Sequence, residues 1–206
     1  MGAEYVYNGN VIDFEASGLS AASYPIEVGL MLDDRRLYHT LIRPEPSWTH
    51  WCSAAAQTHG IHRSELLKFG KPVTQVCYEL NQICQGLTLF SDCWVKDSEW
   101  LTRLFTAGGI EPSFYTSPIE YCIGEDDLMR WSESKNEMAS REKLLQHRAL
   151  ADAYLIKLLL DQKVLGRVVD ESGPGVQYED VPCLTTAPNP VLRGALRQTA
   201  PRRRSA

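Results

Sequence analysis

Nine residues, Val11-Ile12-Asp13-Phe14-Glu15-Ala16-Ser17-Gly18-Leu19, constrain this chain more than any others. An apolar pair runs into two carboxylates one residue apart, and a turn of small residues follows at once. In a strand, successive side chains alternate faces, so Asp13 and Glu15 point the same way. Two like charges that close repel each other unless a cation lies between them. Oxygen donors suit hard divalent ions such as Mg²⁺ or Mn²⁺. Most acidic pairs are nevertheless solvated surface. The metal reading therefore depends on what the rest of the chain brings to this pair.

At 206 residues the chain has room for one domain with a full hydrophobic core. Met1-Gly2-Ala3-Glu4 lacks the basic start and apolar run of a secretory signal. Val6 stands where a myristoylation signal needs Ser or Thr. The greasiest stretch, Ala153–Leu160, is too short to span a bilayer. The expectation is a cytoplasmic protein with no membrane partner. Six cysteines show no C-x-x-C pair, so they read as free thiols, mostly buried. His50, Cys52, His59 and His62 match no compact zinc motif. Charge is unevenly spread: five arginines and no acid follow Leu184, so a chain of net charge −5 leaves −10 on its body. An acidic body argues against a broad basic nucleic-acid groove. A site filled by metal ions is compatible with it, because the ions bring their own positive charge.

Residues 5–15 read as a strand ending in the acidic pair. Two more follow over 26–32 and 36–42, joined by short connections that imply an antiparallel meander. Helices are expected at 53–58, at 64–68 and from Pro72 to the stop at Gly86. A buried strand at 87–91 precedes a helix over 95–106, and 113–116 reads as a fifth strand. Residues 118–145 are mixed and partly helical, and Arg148–Leu160 is a strong apolar helix. Strands followed by helices alternating with strands indicate an α/β fold with a mixed sheet. From residue 173 to residue 206 the chain is rich in Pro and Arg and reads as a flexible tail. Its Arg202-Arg203-Arg204 run suits either solubility or nucleic-acid phosphates.

Three further polar groups matter. Asp97 starts a helix and shares a face with Trp100, Leu101 and Leu104, so its carboxylate points coreward and needs a partner. Asp152 lies on the apolar face of the late helix with Ile156 and Leu159. Ala149 and Ala153 flank it and leave room for close approach to another element. His147 precedes that helix, five positions ahead of Asp152. Asp92, at the end of the 87–91 strand, is a rival to Asp97.

Taken as an ordered set, these residues resemble the DEDDh, or DnaQ-like, family of 3′–5′ exonucleases. Asp13-Phe14-Glu15 matches its first motif and His147-Arg148-Ala149-Leu150-Ala151-Asp152 its third. Asp97 occupies the place of the second, and Thr58-His59-Gly60-Ile61 resembles a connector common in these enzymes. The resemblance covers about residues 9–163. It implies a ribonuclease H-like fold, a mixed five-stranded sheet flanked by helices, with an exonuclease domain over 1–172. It further implies two divalent cations, Mg²⁺ or Mn²⁺, held by Asp13, Glu15, Asp97 and Asp152, with His147 as the base. The terminal nucleotide at a nucleic acid 3′ end would meet Ala16, Ser17, Gly18 and Leu19, with His59, Ile61 and Trp94 as further contacts. One departure is plain: Cys93 and Lys96 stand where relatives often carry Asn and an aromatic. The expected activity is release of nucleoside 5′-monophosphates from single-stranded nucleic acid, RNA slightly ahead of DNA. An inactive nucleic-acid-binding module and a dinucleotide phosphodiesterase are the alternatives, and a homodimer is left open.

Overall fold

A computed structural model describes residues 7–142, 144 and 147–165, which leaves the expected Pro/Arg-rich tail outside the described residues. Strands β1 (Val11–Ala16), β2 (Pro25–Met31) and β3 (Leu37–Leu41) come first. They form the expected antiparallel meander, with Glu15 opposite Glu27 and Gly29 opposite His39. Helices α1 (Ser53–His59), α2 (Arg63–Phe69) and α3 (Val73–Cys84) follow. Strand β4 (Thr88–Ser91) runs parallel to β1, and α4 (Trp94–Gly108) leads to β5 (Tyr115–Pro118), parallel to β4. A 3₁₀ turn at Ile119–Tyr121, the short α5 (Glu125–Met129), α6 (Trp131–Glu142) and α7 (Ala149–Leu165) complete the order.

The sheet order is β3-β2-β1-β4-β5. Chain direction reverses beside β1, with an antiparallel neighbour on one side and a parallel one on the other. The carboxyl ends of β1 and β4 therefore lie side by side at a topological switch point, where α/β sheets leave a crevice for ligands.

The two sheet faces bury separate cores. Ile12, Phe14 and Ala16 pack with α3 and α4 through Val76, Leu80, Leu101 and Leu104. Val11 and Phe90 pack on the other face with α6 and α7 through Trp131, Met138, Leu155 and Ile156. Among the described residues no helix is long and apolar enough to cross a membrane.

Three expectations shift. The fifth strand sits two residues later, because Asn81 holds both the Ser113 amide and its hydroxyl away from the ladder. The last helix runs on to Leu165. Of the five described cysteines only Cys77 and Cys84 are buried, and Cys93 is exposed, so the thiols are less hidden than expected.

Candidate active site

Alternation along β1 places Asp13 and Glu15 on one face at its carboxyl end. Asp13 is 7% exposed, and Glu15 is half-buried. Asp97 enters from the first turn of α4 and is 2% exposed. It is tied to the end of β4 by the Ser91 hydroxyl, which donates to Oδ2. Its other oxygen, Oδ1, is buried without a partner. Asp152, in the first turn of α7, spends Oδ2 on the amides of His147 (2.6 Å) and Arg148 (3.1 Å). That contact holds His147 in a left-handed backbone conformation with φ 64°, one rarely adopted by residues other than glycine. The histidine ring is thereby exposed at the mouth of the site.

Ligand atoms of Glu15, His147 and Asp152 lie within 4.8 Å of one another. A cavity of about 260 Å³ opens over them, lined by Asp13, Glu15, Asp92, Lys135, His147 and Asp152 among others. This lies just below the usual range for small-ligand pockets.

Electrostatics mark the cluster as short of positive charge. Burial, then Asp97 and Asp152, push the Asp13 carboxyl well above its ordinary range. Burial, then Glu27 and Asp152, raise Glu15 to about 8. Burial raises Asp97 to about 8 despite the Ser91 hydrogen bond. Carboxyls driven up by burial and by one another are those a cation would hold ionised. The orphaned Asp97 Oδ1 and the all-oxygen-and-imidazole donor set both fit a hard divalent ion.

Not every expected residue meets the cavity. Ser17 and Gly18 are buried and shape the turn. Ser17 pairs its amide with the Tyr24 carbonyl and accepts from the Tyr24 amide. A Cβ on Gly18 would lie 2.8 Å from His50 Cε1 and 2.9 Å from Cys52 Cβ, so only glycine fits. Ala16 is buried in the core, and Leu19 stands out at 72% exposure. His50 contacts the hydroxyls of Ser17, Ser20 and Ser23, a turn-bracing task far from zinc ligation. His59 and Ile61 are buried, and His59 Nδ1 accepts from the Ile61 amide. Trp94 donates to Thr116 on β5 and is not among the cavity's lining residues.

Two residues emerge that motif reading passed over. Glu27, in the fully buried β2, accepts from His39 at 2.5 Å, from Arg148 Nε at 3.1 Å to both oxygens, and from the Ala149 amide at 3.0 Å. Two residues on, Gly29 lets the start of α7 approach so closely that a Cβ would lie 2.3 Å from the Leu150 nitrogen. Glu27 thus caps α7 and fixes the segment that carries His147. A charged residue inside the otherwise apolar run PIEVGLM was the available signal. The second is Lys135 on α6, which reaches Asp92 at 2.9 Å and Asp152 at 3.4 Å. Its signal was a lysine on the stripe Trp131, Lys135, Met138, Ala139, at helical spacing.

No family model and no curated protein matches the sequence. Solved structures do match in shape. Exonuclease I of E. coli, bound to a dA16 oligonucleotide, gives a TM-score of 0.58 at 13% identity, covering 74% of this chain and 40% of that one. The zinc-bound form of its complex with single-stranded DNA gives 0.59 at 14% identity, with the same coverage of 74% and 40%. A moderately thermophilic exonuclease I from Methylocaldum szegediense gives 0.57 at 11% identity, over 74% and 40%. This chain spans about 40% of the length of those enzymes. At such identities the likeness speaks for architecture, and this chain has the ribonuclease H-like α/β fold of exonuclease I.

Proposed function

We propose that the chain is a 3′–5′ exonuclease that hydrolyses single-stranded nucleic acid to nucleoside 5′-monophosphates. The observation that carries this reading is the convergence of Asp13, Glu15, Asp152 and His147 around one small cavity; Asp97 does not line it but is near enough to raise the Asp13 carboxyl. Asp13, Glu15, Asp97 and Asp152 are the residues that would hold two divalent cations. Bound there, such ions supply Lewis-acid charge at the phosphoryl oxygens and lower the pKa of a bound water. His147, exposed beside Glu15 and Asp152, is placed to take a proton from the attacking water. The exposed Leu19, on the turn after β1, is where a terminal base would rest. The structural neighbours hold DNA oligonucleotides, so DNA is the first substrate to test, with RNA beside it.

Short 5′-labelled DNA and RNA oligomers with Mg²⁺ or Mn²⁺ are expected to shorten stepwise, with mononucleotides as products. Asp13→Asn and His147→Ala should each lower the rate by about 10²-fold or more. Asp97→Asn should do the same. Folded wild-type protein that yields no mononucleotides with either metal overturns the reading, and activity confined to dinucleotides replaces it with a phosphodiesterase.

A further inference from the structure

Lys135 is an unusual component of a site built to hold cations. It rises from the buried stripe of α6, its side chain is only 19% exposed, and it lines the same cavity as the carboxylates. Its ammonium donates to Asp92 Oδ2 at 2.9 Å. The Trp131 indole donates to that same oxygen, also at 2.9 Å. Asp92 is therefore held by two donors of one helix. On its other side the ammonium lies 3.4 Å from Asp152 Oδ1. Asp152 Oδ2 is already taken by two backbone amides, so Oδ1 is the oxygen left to face a metal. Lys135 sits against that oxygen.

We propose that Lys135 is a built-in cation of the carboxylate cluster, one that divalent metal must displace from Asp152 while Asp92 keeps it tethered at the rim. This rests on the nuclease reading above, since it takes Asp152 as a metal ligand. Charge balance supports it. Asp92 and Lys135 neutralise each other, and the four remaining carboxylates, Asp13, Glu15, Asp97 and Asp152, match the charge of two divalent ions. Before metal arrives, the ammonium is a cation in direct contact with the Asp152 carboxylate. Once metal is bound, the same ammonium repels it across a short distance in a partly buried site. Lys135 thus trades metal affinity for stability of the metal-free fold. It also gives Asp92 a role, as the anchor of Lys135.

Mn²⁺ titrations by calorimetry on the full chain test this directly, since the readout is affinity and not turnover. Lys135→Met is expected to bind Mn²⁺ about tenfold more tightly than wild type. Its melting temperature in EDTA should fall, and the rise on adding Mn²⁺ should grow. Lys135→Gln serves the same purpose if the Met variant does not fold. Asp92→Asn moves affinity the other way, because Lys135 then leans wholly on Asp152. In the double variant the Asp92 effect should vanish, as expected for a residue acting through its partner. Unchanged or weaker Mn²⁺ binding by both Lys135 variants overturns the proposal. An Asp92→Asn loss that persists without Lys135 overturns it too, making Asp92 a ligand. Wild-type protein that is folded yet takes up no Mn²⁺ removes the two-metal reading as well. Wild-type protein that binds Mn²⁺ and shortens oligonucleotides, with Lys135 variants of unaltered affinity, removes only the role of Lys135.

Discussion

Replacing Glu27 by Gln is the sharpest probe of how the site is held. Gln keeps the volume of the side chain, so no cavity contributes to the result. Glu27 is 0% exposed and its hydrogen-bond partners are all donors: Arg148 through Nε and Nη2, the Ala149 amide and His39. In the variant an amide NH₂ points at some of these donors, and the Arg148 guanidinium, 15% exposed, loses its counter-charge. Breaking one partner of such a buried pair costs about 3–5 kcal/mol. For a domain of this size that lowers the melting temperature by roughly 10 °C.

The pH dependence separates a charge effect from a packing effect. Burial pushes the Glu27 carboxyl up, but His39 and Arg148 outweigh it and hold the group well below the ordinary carboxylate range. A carboxyl depressed in the folded state contributes stability that is full above its unfolded value, ~4.3, and is lost as pH falls further. The gap between wild type and Glu27→Gln should therefore narrow as pH falls below about 4. Denaturant midpoints at several pH values measure it. A gap under about 0.5 kcal/mol at pH 7, or one that does not narrow in acid, refutes the account of Glu27 as a charged clamp.

Other consequences are as direct. Gly29→Ala puts a methyl into the backbone of Ala149 and Leu150, and should cost several kcal/mol with a loss of helical signal from α7; a thermal melt within ~2 °C of wild type would contradict the close approach. In EDTA, stability should fall as pH rises from 5 to 9. Glu15 and Asp97 have carboxyls raised to about 8, so the stability tied to their neutral forms is full below their unfolded values and lost as pH rises through about 8. Saturating Mn²⁺ should flatten that slope, and a flat profile in EDTA would contradict the charge crowding.

How much of this was legible in the sequence varies with the kind of signal. Alternation placed Asp13 and Glu15 on one face, and helical spacing placed Asp97 and Asp152 toward the interior, where they are 2% and 6% exposed. Short connections sufficed for the β1-β2-β3 meander. Periodicity is local, and these features are local. The roles of Asp92 and Lys135 were not, because they meet across 43 positions of chain through a helix with little amphipathic pattern. The fifth strand slipped for a similar reason: Asn81, 32 residues earlier, decides where its pairing starts. The hydrogen bond of the Trp94 indole to Thr116 on β5 was equally out of reach, since it joins residues 22 positions apart.

Strand β2 explains why the residues outside the motifs matter as much as those within. Glu27 and Gly29 are two apart and so share a face, the one that receives α7. One supplies the charge that captures Arg148 and the Ala149 amide, and the other the missing Cβ that lets the helix backbone come down onto the sheet. Between them they set the height and rotation of a helix whose first turns carry the Asp152 carboxylate and hold His147 in its left-handed conformation. The adjacent strand carries Asp13 and Glu15, with Glu15 paired directly opposite Glu27. The two halves of the site are therefore positioned through one strand pair, and a shift of α7 on β2 would move Asp152 relative to Glu15 by the same amount. On the metal-binding role proposed above, a cation shared between them would tolerate little such movement, since ligand distances to hard ions vary by only a few tenths of an ångström. That role would give a physical reason for burying an ion pair whose net contribution to stability is otherwise small.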